Sequence, residues 1–371
     1  MKSPEAISTA PVPGSDEVRG WFAPTQWEAY LDTASYGLPP RATVRALEDA
    51  LHAWQTASAQ WAEWDRVGEE CRALAAGVFD AAPGEISLIP AVSVGVGVLA
   101  ASLTEHDEVV VPDDEFRSLL MPLLAAERTR GVVVRRVPFD ALADAVRPST
   151  TVVATSQVRS NGGGVQDMEA VAAAAHEHGA AIIVDATHGA GIVQLDARRL
   201  GIDCVVAAAY KHLLCPRGVA FMRLASAGRL RPAPFHAGWR AAADPYSTYF
   251  GGTLDDLAPG AASYDVSLAW HPWVGARESL RTLALVDAAE RERHAVGLAT
   301  AAADALGVTA TGSSILGVPV RTSPEETRRT LSRAGIAAGF PAGQARLSFH
   351  MYNVPGDVAR LAEAVTPLLR R

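Results

Sequence analysis

Apolar and polar positions along the chain alternate in two rhythms. From about residue 85, short Val- and Ile-rich runs exchange with Ala- and Leu-rich stretches of helical period: EISLI (85–89), VGVGVLAASL (94–103), DEVVVP (107–112), then a helix over 115–128. GVVVRRV (131–137), FDALADAV (139–146), TTVVATSQV (150–158), a helix over 167–179, AIIVDA (181–186) and CVVAAA (204–209) continue the series. Continuous apolar runs of this length predict strands buried on both faces, with the intervening helices as their cover. The pattern predicts an α/β domain built on a doubly wound, mostly parallel sheet. VAFMRL (219–224) is expected to return as an antiparallel strand of that sheet.

Over 229–272 the alternation stops and Pro, Gly, Tyr and Trp dominate. So long a connection predicts an active-site wall rather than an idle loop. A long helix is expected from Trp273, and the remainder reads as a smaller α+β domain. The division expected is a disordered tail at 1–20, a large domain with its N-terminal segment at 21–272, and a small C-terminal domain at 273–371.

With 371 residues, 49% of them hydrophobic, the chain can bury a large core. The net charge of −8, with Lys and Arg in no stripe, argues against nucleic acid or an anionic membrane as partner. Three widely spaced cysteines, Cys71, Cys204 and Cys215, form neither a disulfide framework nor a zinc spacing. Residues 1–14 lack the apolar stretch of a signal peptide, and no run of about 18 apolar residues occurs elsewhere. A soluble, cytoplasmic protein without a metal site is expected.

Two of the apolar strands end in a charge, Asp185 and Lys211, with His188 just beyond the first. In an open α/β sheet ligands sit at the carboxyl ends of the strands. A lysine there can form a Schiff base with pyridoxal phosphate, and a buried carboxylate can keep the ring nitrogen protonated. His188 is placed to meet the ring's phenolate oxygen. Val92 and Ser93 open a helix after a strand, where backbone N–H groups favour a phosphate. Phe116 begins the helix after the next strand, where an aromatic can lie flat on the ring. Arg346 can clamp a substrate carboxylate with two parallel hydrogen bonds. Taken singly, each has a plainer role: Asp185 and Ser93 as helix caps, Lys211 and Arg346 at the surface, His188 and Phe116 in the core. Their common placement at strand ends favours the chemical role.

On these residues the chain resembles the class V aminotransferase family of fold-type I pyridoxal-phosphate enzymes, which includes cysteine desulfurases, kynureninases and isopenicillin N epimerases. The resemblance runs from about residue 30 to the C-terminus. It rests on YLDTASYGLPP (30–40), VDATHGAG (184–191), YKHLLCPRG (210–218) and RLSFHMYN (346–353). It implies that Lys211 carries the cofactor, Asp185 pairs with its ring nitrogen and His188 meets the ring oxygen. It also implies that Val92, Ser93 and Tyr210 hold the phosphate, that Phe116 stacks on the ring, and that Arg346 binds the substrate carboxylate. SYDVSLAWHPWVGA (263–276) is similar to a stretch that family members lend to the partner subunit, with Trp270 the residue that crosses, which implies a homodimer with shared active sites. Ala208 and Tyr210 depart from the Ser and His that many members carry three and one positions before the lysine. Ala91 to Val94 depart from the usual Ser-Gly-Thr-Thr phosphate loop.

Desulfurases of this family carry a persulfide cysteine shortly before the carboxylate-binding arginine, and residues 312–344 contain none. Cys215 reads as a buried structural thiol. The expected enzyme acts on an amino acid through an external aldimine, as an aminotransferase first, or as a carbon–sulfur (β-elimination) lyase or epimerase. Position of Lys211 and the polarity around Trp270, His271, Trp239 and Tyr36 would decide, and Tyr36 joins Arg346 as a substrate-side residue. A degenerate member that binds without turnover is a further alternative. The glycines of VGVGVLA loosely echo a dinucleotide fingerprint but lack its strand-turn-helix form and its acid.

Overall fold

A computed structural model describes residues 10–369. Seven strands form the central sheet: β2 (Ile86–Ile89), β3 (Glu108–Pro112), β4 (Val133–Val137), β5 (Val152–Ser156), β6 (Ala181–Asp185), β7 (Cys204–Ala208) and β8 (Ala220–Leu224), in the spatial order β2-β8-β7-β6-β5-β3-β4. β4, β3, β5, β6 and β7 are parallel, and β8 runs antiparallel between β7 and β2. β8 is therefore the antiparallel return that VAFMRL predicts. Every residue of the inner strands β3, β5, β6 and β7 is buried, as uninterrupted apolar runs require. β4, at the edge, carries Arg135 and Arg136, charges that discourage pairing with another sheet.

Helices α1 (Asp16–Gly20), α2 (Arg41–Gln55), α3 (Trp61–Val78), α4 (Val92–Ala100), α5 (Arg117–Arg130), α6 (Met168–Glu177) and α7 (Trp270–Ala284) cover the sheet or pack beside it. Their ends are set by local chemistry: Asp167 accepts from Ala170 N–H at the start of α6, and Gly131, at φ +77°, ends α5. FDALADAV, read as part of the helical series, instead makes a single 3₁₀ turn at Phe139–Ala141. The segment lies between Pro138 and Pro148, and the residue before each proline is disfavoured from the helical region.

The smaller unit contains α8 (Ala288–Leu306), β9 (Ile315–Val318), α9 (Pro324–Arg333), β10 (Ile336–Ala337), β11 (Ala345–Ser348) and α10 (Pro355–Val365). β9 and β11 are antiparallel, and β10 pairs in parallel with the N-terminal β1 (Ala29–Tyr30). Ala29, Leu31 and Ala34 thus join a core with Leu298, Leu316 and Leu347. The helix expected to open the small domain at 273 starts at Trp270 and packs on α2 and α3, with Trp273 and Leu280 in the core of the large unit.

The expected tail at 1–20 needs correction in its described part; residues 1–9 lie outside the described residues. Gly14 N–H donates to Met351 O, Ser15 caps α1 and Val18 is fully buried. Its apolar packing, weak as a periodic signal over five residues, is tertiary. Among the described residues no helix is long and apolar enough to cross a membrane.

Candidate active site

The strand directions put the ends of β2, β3, β5, β6 and β7, and the turn that enters β8, on one edge of the sheet. That edge gathers the starts of α4 and α5 together with Asp185, His188 and Lys211. The segment 30–40 crosses it, and Gly37 explains how closely. Its N–H donates to Tyr210 O at 2.9 Å, and a Cβ on it would lie 2.1 Å from Lys211 O. Only glycine permits that approach.

Lys211 is 5% exposed, and its Nζ lies 2.9 Å from His188 Nε2. Burial, followed by the nearby Arg346 cation, pulls its pKa down to about 8, against the attraction of Asp185 and Asp32. The same Nζ lies 5.2 Å from the Phe116 ring centroid and 5.9 Å from that of Tyr210. Burial and the adjacent cations hold His188 well below its ordinary pKa, so it is neutral at pH 7. Its Nε2 is also 3.1 Å from Ser160 Oγ, while its Nδ1 is buried without a partner.

Asp185 is 4% exposed; its Oδ1 accepts from Thr187 N–H at 2.8 Å, and burial raises its pKa. Thr187 Oγ1 accepts from Ala208 N–H at 3.0 Å, tying the end of β6 to that of β7. Phe116 is half-exposed at the start of α5, and its backbone N–H donates to Glu115 Oε1 at 2.6 Å. Val92 and Ser93 open α4, whose N-cap, Ala91, offers no side-chain acceptor, so both backbone N–H groups remain available. The Tyr210 ring lies between Tyr36, 6.0 Å away, and the Arg217 guanidinium, 5.0 Å away.

Arg346, on β11, reaches the same place from the small unit. Its Nη1 donates to Ser160 O at 2.8 Å and its Nη2 to Ser35 Oγ at 2.7 Å, while Nε is buried without a partner. Among the described residues no carboxylate forms an ion pair with it. Of the residues expected from the sequence, Trp270 stands apart. Its Nε1 donates to Asp65 Oδ1 at 3.1 Å and its ring stacks on Trp61. Arg159 and Asn161 both bond Asp114, which settles their side chains on the α5 side of the loop.

Several residues of this edge escaped sequence reasoning. Ser160 joins His188 through its hydroxyl and Arg346 through its carbonyl. Glu115 accepts from Ser156 N–H at 2.7 Å and from Ser156 Oγ at 2.5 Å, fixing β5 beside Asp185. His212 is wholly buried with neither ring nitrogen partnered, stacked against His350, whose Nε2 donates to His212 O at 2.9 Å. Lys211 itself carried a compositional signal besides its position: the sequence holds two lysines, Lys2 and Lys211, and Lys211 follows a buried strand. Gly95 and Gly97, the apparent dinucleotide fingerprint, lie inside α4, where Gly95 packs on Ile89 and Met222.

The backbone arrangement is shared with solved pyridoxal-phosphate proteins. The cystine C–S lyase C-DES, in complex with cysteine persulfide, superposes with a TM-score of 0.81 at 18% identity, over 92% of this chain and 98% of that one. The apo cysteine desulfurase of Thermococcus onnurineus NA1 gives 0.82 at 17%, over 97% and 99%. The fold is thus fold type I of the pyridoxal-phosphate enzymes. Within that class the aminotransferase class-V profile matches residues 29–309, and the chain belongs to this family. Pyridoxal phosphate is its cofactor. The free atoms of this edge fit that group: an acid with one bonded oxygen, an orphaned imidazole nitrogen and an uncapped helix start.

Among curated proteins, a probable cysteine desulfurase of Methanothermobacter thermautotrophicus is 31% identical over 208 residues, 52% of this chain and 52% of that protein. The match thus spans about half the length of that relative. The cysteine desulfurase CsdA of Escherichia coli is 25% identical over 91% of this chain and 92% of its own length. A kynureninase of Pseudomonas fluorescens is 29% identical over 53% of this chain and 51% of its own length.

Proposed function

We propose that the chain removes the α-proton of a small free amino acid with Lys211, and that elimination at a carbon–sulfur bond follows. The observation that carries this reading is an amine with a pKa of about 8, 2.9 Å from a neutral histidine and within electrostatic reach of the unpaired Arg346. Such an amine is partly free of its proton near neutral pH and is a competent base. In this reading Asp185 would hold the cofactor's ring nitrogen and Phe116 its face, with His188 at the ring oxygen. Val92 and Ser93, with Tyr210 and the Arg217 cation beside it, would hold the phosphate. Bound there, pyridoxal phosphate supplies an aldehyde that takes up the substrate amine and a protonated ring that draws electrons from the α-carbon.

Arg346 and Ser35 would orient the substrate carboxylate, with Tyr36 at the mouth. Lys211 takes the α-proton, and neutral His188 receives the hydrogen bond of the resulting ammonium. A sulfur leaving group departs as its anion, since thiols titrate near pH 8.5, and needs no dedicated acid. The protein offers it no acceptor thiol: Cys71, Cys204 and Cys215 are buried, and burial pushes each thiol above its ordinary pKa. Sulfur would therefore leave to solution. The names of the related desulfurases favour carbon–sulfur chemistry over transamination.

The test gives the holoenzyme cystine, cysteine or alanine, each with and without an α-keto acid acceptor. Pyruvate, ammonia and released sulfur from cystine without an acceptor support the reading. Strict dependence on the acceptor, with one new amino acid per keto acid, would make the chain an aminotransferase. We also propose a homodimer, supported by the exposed aromatics Trp54 and Trp61 beside His271 and Trp270, which in that assembly would face the partner's site.

A further inference from the structure

A cavity of about 500 Å³ lies outside the lysine site, between the ends of α3 and α7, the start of α8 and the segment after His188. Its volume falls in the range of small-ligand sites, about 300–1,000 Å³. Lys211, His188 and Arg346 do not line it. Its walls are largely apolar, with Phe79, Ile192, Leu280 and Leu283 among them. Two polar side chains there are almost entirely buried and incompletely used.

Arg291 is 6% exposed. Its Nε donates to Gly191 O at 2.9 Å and its Nη1 to Leu283 O at 2.6 Å and to Val286 O, while Nη2 makes no hydrogen bond among the described residues. Burial lowers its pKa to about 10, and Asp287 is the carboxylate that opposes this. Gln157 is 2% exposed; its Nε2 donates to Val193 O at 3.1 Å and to Gln194 O at 3.2 Å, while Oε1 is buried and unpartnered. The two side chains brace one segment, 191–194, from two sides, and each keeps one polar atom over. Gln157 Oε1 is sealed against Gly189, so Arg291 Nη2 is the donor left for a ligand.

The charges around the cavity define the ligand. Arg291 offers a cation at depth, while Asp287, exposed at the rim, spends Oδ1 on Ala289 N–H and Glu290 N–H and among the described residues has no hydrogen bond to Oδ2. A carboxylate toward Arg291, an ammonium toward the Asp287 rim, and an apolar side chain on the walls satisfy all three environments together. We propose that this cavity is a second binding site for a free α-amino acid with an apolar side chain, separate from the lysine site.

Leucine is the probe, and calorimetry of the holoenzyme reads its binding. Arg346→Gln is the background, because it weakens carboxylate binding at the lysine site. Ala288 is exposed, lines the cavity and opens α8, so Ala288→Trp fills the space without touching the core. In the Arg346→Gln holoenzyme leucine is expected to bind saturably, one per chain, without change in the cofactor's visible absorption. Adding Ala288→Trp should weaken that binding at least tenfold and leave turnover of the otherwise wild-type enzyme unchanged. 4-Methylpentanoate, which lacks the ammonium, should bind at least tenfold more weakly than leucine. No saturable binding, or binding indifferent to Ala288→Trp, would overturn the site; equal binding of 4-methylpentanoate would overturn its amino-acid character.

Discussion

At the amino-terminal edge of the sheet, buried acids are saturated with partners; at the carboxyl edge Asp185 is not. Glu108, which opens β3, takes hydrogen bonds from Arg135, Arg147, Ser149 and Thr150. Those bonds, the Arg147 bond first, bring its pKa down to about 2. Glu85, before β2, is held below its ordinary value by Ala82 N–H, Ser226 N–H, Arg223 and Arg198, although burial pushes the other way. Asp203, before β7, accepts from Ile182 N–H and Arg229 N–H. Across the sheet, Asp185 is raised by burial, Lys211 is lowered, and His188, His212, Asp32 and Arg346 keep unpartnered buried atoms. On the proposed function, the same sheet uses one edge for stability and the other for chemistry. Unmet buried polar groups cost stability, and they persist where a ligand completes them.

The sharpest break of this comparison is Lys211→Ala. Turnover should fall at least about 10³-fold. The apo protein should meanwhile be no less stable at pH 7, since a buried amine that resists protonation is removed. The sign follows from linkage. The folded pKa of about 8 lies below the ordinary 10.5, so the unfolded chain binds more protons between those values and wild-type apo stability rises with pH through that window. Calorimetric melting of wild type and variant between pH 7 and pH 11 checks it; parallel curves would contradict it.

Glu108→Ala should do the reverse, costing about 2–4 kcal/mol in urea unfolding while leaving turnover per folded molecule within twofold. Because the folded pKa of Glu108 is depressed to about 2, its contribution is present above the ordinary 4.5 and fades as pH falls toward 2. The variant should therefore lose most of its deficit against wild type at low pH.

Arg346→Gln should raise KM for an amino acid about 10–100-fold with a smaller change in kcat, the mark of a lost carboxylate contact. Ser160→Ala should have the smallest effect, about three- to tenfold in kcat/KM. Its specific sign is a shifted alkaline limb of the pH–rate profile, because it removes the hydroxyl 3.1 Å from His188 Nε2. An unshifted profile would make Ser160 a merely structural link.

The sheet was legible in the sequence because parallel strands buried on both faces are written as continuous apolar runs, and their terminal charges point to the edge where ligands sit. Asp185, His188 and Lys211 were singled out for that reason, and in the structure Lys211 lies 2.9 Å from His188 and within electrostatic reach of Asp185. Ser160 and Glu115 were not, because each acts through partners that residue type does not reveal: His188 and Arg346, brought to the hydroxyl and carbonyl of Ser160 by the fold, and three incoming hydrogen bonds on Glu115. The side-chain bond of Trp270 to Asp65, over two hundred positions apart, is likewise a tertiary fact. α1 was missed because five residues carry no usable period, and FDALADAV misled because helical composition counts for little between two prolines.

The account rests on a covalent bond between the cofactor's aldehyde and the carboxyl-edge amine. Reducing the holoenzyme with borohydride, digesting it and locating the pyridoxyl mass by mass spectrometry tests that bond directly, since the sequence offers two lysines. The account predicts one pyridoxyl group per chain, on the peptide bearing Lys211. Label on Lys2, or an unlabelled Lys211 in a protein that holds its cofactor, would contradict it.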